Sequence, residues 1–245
     1  MTRTQWIALA CAAGAVLLEA SSARAQTAPA GWDRLSVTVR QSVFVPAGGG
    51  EAWSLFSREF TPGPSSLYVG VAGGELRWRV RGNLALIGGA ESGGRTISTE
   101  ARNAPAGTAN PIRQYTTLGL RSMQYAGVTW MPLALPWRGA APVRLGVTAG
   151  GGRASYRLHQ WGEFVDRARQ LTFADDLVSG GRGTFGYLAL QAELPLWRGV
   201  ALAGDVRRQF GSAPMSVDFA GFDRLDLGGT RAGIGLTITP ARLRR

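Results

Sequence analysis

The sequence has little of several residue types, and each shortage narrows the chemistry that the chain can support. Of its 245 residues, one is a cysteine, Cys11, and one is a histidine, His159. No lysine occurs, so all 27 basic residues are arginines. A disulfide within the chain is therefore excluded, and a metal site built from histidine and cysteine ligands is not expected.

Long apolar runs are also missing, except at the N-terminus. The run from Trp6 to Leu18 follows the basic Arg3 and ends before an Ala-x-Ala pattern at residues 23–25. This order is typical of a secretory signal peptide, and a retained anchor is the alternative interpretation. We predict that residues 1–25 are cleaved and that residues 26–245 form a single domain. After Ala25 no apolar run is long enough to cross a bilayer as a helix.

The formal net charge of +11 at pH 7 raises the question of an anionic partner. The arginines recur singly, at turns and on strand faces, so the charge does not predict nucleic-acid binding. Membrane lipid and lipopolysaccharide are anionic partners that fit a basic exported protein. A genomic bias toward arginine would produce the same composition.

Eight segments alternate apolar and polar residues with the period of two that is typical of half-buried strands. They are residues 34–45, 66–80, 83–90, a strand within 115–133, 143–156, 184–194, 200–210 and 224–238. Short turns at 81–83, 136–139 and 196–199 alternate with longer connections at 46–65, 91–113, 157–183 and 211–223. This regular alternation favours an up-and-down antiparallel barrel with one tight end.

Alternation by itself does not decide which face of each strand lies inside. The polar faces combine glycine and alanine with charges of both signs, which favours a narrow lumen filled by ion pairs. The predicted lumen charge network consists of Glu75, Arg77, Arg79, Arg121, Arg144, Glu193, Asp205, Arg207 and Arg231. A phase shift at Gly73–Gly74 predicts a β-bulge in the second strand.

Aromatic residues collect near the strand ends, as in the two interfacial girdles of membrane barrels. The tryptophans near the short turns are Trp78, Trp130, Trp137 and Trp197. In the connection 157–183, the helical spacing of Phe164, Arg167/Ala168 and Leu171 predicts a short amphipathic turn within residues 161–178. An ordered but passive loop is the alternative interpretation.

With these features the chain resembles the small eight-stranded outer-membrane barrels of the OmpA transmembrane-domain and OmpX kind. In the last strand, Arg231, Gly233, Leu236 and Ile238 look like the signal read by the barrel-assembly machinery. The resemblance implies an all-β, eight-stranded antiparallel up-and-down transmembrane β-barrel in the outer membrane of a Gram-negative cell. It also implies short periplasmic turns, longer extracellular loops, and outer-membrane lipid, lipopolysaccharide and the assembly machinery as partners, with no cofactor.

We therefore expect a structural or envelope-interacting outer-membrane protein with a plugged lumen, which is neither an open porin nor an enzyme. One alternative is a soluble periplasmic, lipocalin-like binder of an apolar ligand. A further alternative is a lipid A hydrolase that uses His159 with Ser155 and Glu163 or Asp166. The His-x-Ser motif of such hydrolases is absent, because Gln160 and Trp161 follow His159.

Overall fold

A computed structural model describes residues 34–243 except 62, 64–65, 103–110, 138–139, 167, 170 and 220. The predicted signal peptide, residues 1–25, lies outside the described residues. In chain order the elements are β1 (Leu35–Pro46), α1 (Gly50–Glu59), β2 (Phe60–Thr61), β3 (Val69–Arg81), β4 (Leu84–Ala101), β5 (Arg113–Trp137), β6 (Ala140–Asp166), β7 (Leu171–Trp197), β8 (Val200–Pro214), a 3₁₀ turn (Val217–Phe219), β9 (Arg224–Asp226), β10 (Gly229–Ile238) and α2 (Pro240–Leu243).

Eight long strands form a closed antiparallel ring. β1 pairs with β3, the strands β3 to β8 pair in chain order, and β10 pairs with both β8 and β1. The register of β10 runs from Val37↔Ile238 to Pro46↔Gly229 on β1 and from Gly229↔Gln209 to Ile238↔Val200 on β8. The ring therefore has no unpaired edge along β10. The predicted all-β class and the antiparallel ring of eight strands are confirmed.

The two ends of the ring differ in their connections. At one end, here called the turn end, Gly82–Asn83 and Arg198–Gly199 form tight turns. Gly82 and Gly199 have φ angles of 52° and 71°, which glycine adopts without strain. The opposite end, here called the loop end, carries α1, β2 and β9.

Two expectations about the longer connections are wrong. The predicted strand 83–90 continues to Ala101, because the polar stretch after Ala90 still pairs with β5. The predicted helical turn within residues 161–178 is absent from the described residues there, which belong to β6 and β7 apart from the turn residues 168–169. Its two halves pair from Trp161↔Asp176 to Asp166↔Leu171. Cross-strand pairing has overridden a helical spacing that only a few residues supported.

The interior of the ring changes character along its axis. In the turn half most of the inward-facing side chains are polar or charged, including Thr38, Glu75 and Thr129. In the loop half they are apolar and form one buried cluster with residues of α1 and β9. Its inward-facing strand members include Phe44, Val69, Val71, Leu118, Leu120, Met123, Tyr156 and Phe185.

This change explains the apparent phase shift in β3. Val69, Val71, Glu75 and Arg77 are all buried, and the pairing of β3 with β1 is continuous from Val69 to Trp78. The predicted bulge at Gly73–Gly74 is therefore wrong. The strand keeps its phase, and it is the polarity of the inward-facing side chains that changes.

Helix α1 covers the apolar cluster at the loop end. Its buried side chains, Trp53 and Phe56, contact each other edge to face with their ring centroids 6.1 Å apart. The Trp53 indole Nε1 donates a hydrogen bond of 2.9 Å to the backbone oxygen of Asp226. This bond ties the helix to β9, so the chain's own side chains occupy the interior at this end.

Candidate functional site

Eight ionisable side chains are buried together in the turn half of the ring. Four are arginines and four are carboxylates, so their formal charges cancel. They are Arg40, Arg77, Arg207, Arg231, Glu75, Glu91, Glu193 and Asp205, here called the charge cluster. Because burying an unpaired charge is costly, the balance of the two signs allows this number of ions inside the ring.

Glu75 joins two of the arginines. Its Oε2 lies 2.8 Å from Arg40 Nη2, and its Oε1 lies 3.5 Å from Arg77 Nη2. Arg40 also reaches Asp205 Oδ1 at 3.1 Å, while Arg77 pairs with Glu193. These contacts join β1, β3, β7 and β8 across the interior. The charge cluster therefore links strands that are not neighbours in the ring.

Glu91 and Arg231 form a second, fully enclosed pair. Both guanidinium Nη atoms of Arg231 contact the two carboxylate oxygens of Glu91, and neither side chain has any solvent exposure (0%/0%). The hydroxyl of Tyr125 lies 3.0 Å from Glu91 Oε1 and 3.2 Å from Glu75 Oε2. Tyr125 therefore connects this pair with the Glu75 contacts. The bidentate contact between Arg231 and Glu91 is among the stronger side-chain interactions.

Arg207 lies between two aromatic rings. Its guanidinium carbon is 4.5 Å from the centroid of the Tyr125 ring and 4.2 Å from that of Tyr187. Its Nε lies 3.8 Å from Asp205 Oδ2, but none of its three guanidinium nitrogens donates a hydrogen bond to a described residue. Cation–π contact with two rings in a dry site contributes about 2 kcal/mol or more. Arg207 is thus held mainly by the tyrosines.

Glycines make room for these tyrosines on the facing strands. A Cβ at Gly89 would lie 2.5 Å from the Tyr125 hydroxyl oxygen. A Cβ at Gly127 or at Gly150 would lie 2.7 Å from the Tyr187 hydroxyl oxygen. The glycines on the polar strand faces therefore have a packing role, because larger residues would displace the rings that hold Arg207.

The structure brings together most of the predicted lumen network. Glu75, Arg77, Glu193, Asp205, Arg207 and Arg231 belong to the charge cluster. Arg144 is half-buried and lies 3.7 Å from Glu193, and Arg79 is half-buried on the same strand as Arg77.

Arg121 is a wrong prediction, because its side chain is exposed on the outer face of β5. The register of β5 with β6 shifts between Leu120 and Ser122, and this bulge turns the intervening residue outward. A single extra residue therefore reverses the face that simple counting assigns to Arg121.

Two members of the charge cluster were missed from the sequence. In the first predicted strand, Arg40 points to the polar face, opposite to its neighbours Val39 and Gln41. Its parity was therefore a usable signal. Glu91 follows Ala90, where the predicted strand ended, and its parity becomes visible only when β4 is extended.

Large apolar side chains surround the ring on its outer face in the turn half. Every one of the eight strands exposes large apolar side chains there. They include Val39, Val43, Leu76, Trp78, Leu86, Val128, Trp130, Val147, Leu188, Leu190, Leu202, Val206, Ile234 and Leu236, here called the apolar belt. Leu190 and Ile234 are 66% and 67% exposed. The molecule is thus polar inside and apolar outside in this half.

The predicted interfacial tryptophans and the predicted assembly-signal residues lie on β3, β5, β7 and β10. Trp78, Trp130 and Trp197 are exposed, and Trp197 lies beside the Arg198–Gly199 turn. The side chain of Trp137 lies outside the described part of the structure. In β10, Leu236 is exposed, Gly233 and Ile238 are half-buried, and Arg231 belongs to the charge cluster. Their roles at an interface or in assembly stay predictions.

The histidine constellation that a hydrolase would need is not assembled around Ser155. His159 Nε2 lies 2.6 Å from Asp176 Oδ1, and its ring packs on Trp161 with centroids 4.4 Å apart. Ser155 lies four residues from His159 on the same strand face, which separates them by about 13 Å. His159 and Asp176 thus form a surface pair in the hairpin of β6 and β7.

Comparison with known proteins adds little to this description. None of the helices in the described part of the chain is long and apolar enough to span a membrane. No protein-family model matches the chain, and no curated protein matches its sequence. A solved structure that matches is Ail, the attachment invasion locus protein of Yersinia pestis, in complex with the heparin analogue sucrose octasulfate. The match has 10% identity and a TM-score of 0.34, and it covers 83% of this chain and 95% of that one.

Proposed function

We propose that the chain is an outer-membrane β-barrel protein with a structural or envelope-interacting role and a lumen plugged by its own side chains. The observation that carries this proposal is the apolar belt around a closed ring whose interior is charged. Exposed apolar surface on this scale is costly in water and is rare on soluble monomers. In a bilayer the same side chains face hydrocarbon, and closure of the ring leaves no strand edge unpaired.

The height of the apolar belt fits this environment. On β7 the outward-facing run from Leu196 back to Gly186 covers ten residue steps, or about 33 Å along the strand at about 3.3 Å per residue. At the strand tilt of about 40° that is usual for such barrels, the run spans about 25 Å along the membrane normal, which is the height of an outer-membrane apolar band. The short turns would then face the periplasm and the loop end would face outward.

The plugged lumen is supported by what fills the ring. The charge cluster occupies the turn half, and the apolar cluster under α1 occupies the loop half. A ring of eight strands is wide enough only for side chains or one small ligand. We therefore expect no steady conductance when the purified protein is inserted into a planar bilayer. Large, steady openings would contradict the plugged lumen.

A soluble, lipocalin-like carrier is the second candidate. The apolar interior of the loop half favours it, but Trp53 and Phe56 already occupy that space, and the charge cluster occupies the turn half. Membrane fractionation with heat-modifiable gel migration separates the two candidates. We expect the protein in the outer-membrane fraction, with faster migration before boiling than after it. Recovery in the soluble periplasm without detergent would contradict the membrane proposal.

Lipopolysaccharide, outer-membrane lipid and the assembly machinery are the partners that this proposal implies. We propose no enzymatic activity. His159→Ala is expected to leave the lipid A profile of cells unchanged, as judged by mass spectrometry of extracted lipid A. A profile that depends on His159 would favour the hydrolase alternative.

A further inference from the structure

Four arginines stand close together on the outer wall of the ring, on three adjacent strands. They are Arg121 on β5, Arg153 and Arg157 on β6, and Arg182 on β7, here called the arginine quartet. We propose that the quartet binds the phosphate groups of a phosphorylated membrane lipid in the leaflet around the protein. This inference rests on the proposed membrane location and adds a defined lipid site to it.

The strand register brings the four residues around Ser155. Ser155 pairs with Ser122 on β5 and with Arg182 on β7. Arg153 and Arg157 stand two residues before and after Ser155, on the same outward face, at about 7 Å along the strand. Arg121 is the extra residue of the bulge that precedes Ser122. The bulge that removes Arg121 from the lumen therefore adds a fourth cation to this patch.

Among the residues that the structure describes, none supplies a counter-charge to the quartet. All four side chains are exposed, and none forms an ion pair or a hydrogen bond with another residue that the structure describes. Two carboxylates near the outer side of β7 are already engaged, one on the strand itself and one in the 3₁₀ turn. Asp176 contacts His159 at 2.6 Å, and Asp218 accepts a hydrogen bond of 3.3 Å from the backbone of Val178. Four like charges at this spacing repel one another, and an anionic ligand would relieve the repulsion.

The position of the quartet selects a lipid as the occupant. On β6 the outward-facing Val147, Ala149 and Gly151 end the apolar belt immediately before Arg153. On the other side, towards the loop end, Tyr115 and Trp161 stack with their ring centroids 5.5 Å apart. Aromatic side chains of this kind collect at the headgroup level of membranes. The quartet thus lies between hydrocarbon and aromatic layers, where lipid phosphates are found.

The chemistry of arginine suits this ligand. A guanidinium presents planar, paired donors that bind two oxygens of one phosphate, and each remains charged at any physiological pH. Several such donors on adjacent strands match a headgroup that carries more than one phosphate. A neutral headgroup would offer no compensation for bringing these charges together. We therefore expect selectivity for lipids with two phosphates over lipids with none.

The test uses the full-length mature protein purified in a non-ionic detergent. Native mass spectrometry measures retention of diphosphorylated lipid A, with its dephosphorylated form as the lipid control. The variant R121Q/R153Q/R157Q/R182Q removes the quartet. The variant R34Q/R58Q/R81Q/R102Q removes the same formal charge from exposed arginines elsewhere. Heat-modifiable migration verifies that both variants fold.

We expect wild type and the matched control to retain the diphosphorylated lipid, and the quartet variant to bind it at least about tenfold more weakly. Replacing all four arginines with lysine is expected to restore part of the binding, since charge returns without the paired donors. Equal retention by both glutamine variants in a folded membrane protein would overturn the lipid site and leave the membrane proposal standing. Quartet-dependent binding of soluble sucrose octasulfate, with unchanged lipid retention, would overturn a lipid as the occupant. A wild-type protein that fractionates as soluble would instead contradict the proposed function itself.

Discussion

Glu91→Gln is expected to lower the free energy of unfolding by about 3–5 kcal/mol, because it leaves the guanidinium of Arg231 buried without its counter-charge. Both side chains of the pair have no solvent exposure (0%/0%). The substitution keeps the size of the side chain and still offers one oxygen to the Tyr125 hydroxyl. Its effect therefore reports on the charge of Glu91 more than on its volume.

The magnitude follows from how dry the pair is. An exposed ion pair contributes about 0–1 kcal/mol to the free energy of unfolding. Removing one partner of a buried pair costs more, because the desolvation of the remaining charge is no longer compensated. Arg231→Gln is expected to cost a similar amount for the same reason. In the double variant E91Q/R231Q neither charge remains, so the loss should fall short of the summed single losses by about 2 kcal/mol.

Equilibrium urea unfolding in phospholipid vesicles, followed by tryptophan fluorescence, measures these differences. The control is Glu100→Gln, since Glu100 Oε1 lies 3.4 Å from Arg113 Nε in a pair whose side chains are 48% and 61% exposed. That variant should lose less than about 1 kcal/mol. A loss below about 1 kcal/mol for Glu91→Gln, or strictly additive effects in the double variant, would mean that water reaches the pair. Such a result would also contradict the plugged lumen.

Three further substitutions probe the outside, the packing and the loop end. Leu190→Arg is expected to destabilise the protein in vesicles by about 2–4 kcal/mol, and an unchanged unfolding curve would contradict lipid contact at the apolar belt. Gly89→Ala should cost about 1–3 kcal/mol by displacing Tyr125, while Gly88→Ala, whose Cβ would lie 3.8 Å from the Tyr125 backbone oxygen, should be tolerated. Trp53→Ala should release α1 and accelerate tryptic cleavage in that segment while heat-modifiable migration persists; an unchanged cleavage rate would show that Trp53 does not anchor the helix.

Much of the ring could be predicted because most of the strands alternate with a period of two over most of their length. Leu188 and Leu190 were assigned to one face and Glu193 to the other, and the structure exposes the leucines and buries the glutamate. The parity of a strand is a local property that needs no knowledge of its neighbours. The same reasoning worked for Ile234 and Leu236 against Arg231.

The assignment of strand faces from parity failed where a bulge interrupts the alternation or where the polarity of the interior changes. Arg121 lies at a bulge, and a bulge depends on how two strands align. Val69 and Val71 face inward although the apolar residues further along β3 face outward, because the interior itself becomes apolar toward the loop end. The hairpin of β6 and β7 beyond residue 157 is held by cross-strand pairs that its helical spacing did not suggest.

The sequence by itself determined the class of fold, the number of long strands and the inward or outward parity of most residues, since these follow from local alternation and from short turns. Only the tertiary structure decided which charges meet. Glu91 reaches Arg231 and Arg77 reaches Glu193 across the interior, between strands that are not adjacent, and the arginine quartet forms across three strands around a bulge. Such contacts depend on register and ring closure, which are cooperative properties of the whole sheet.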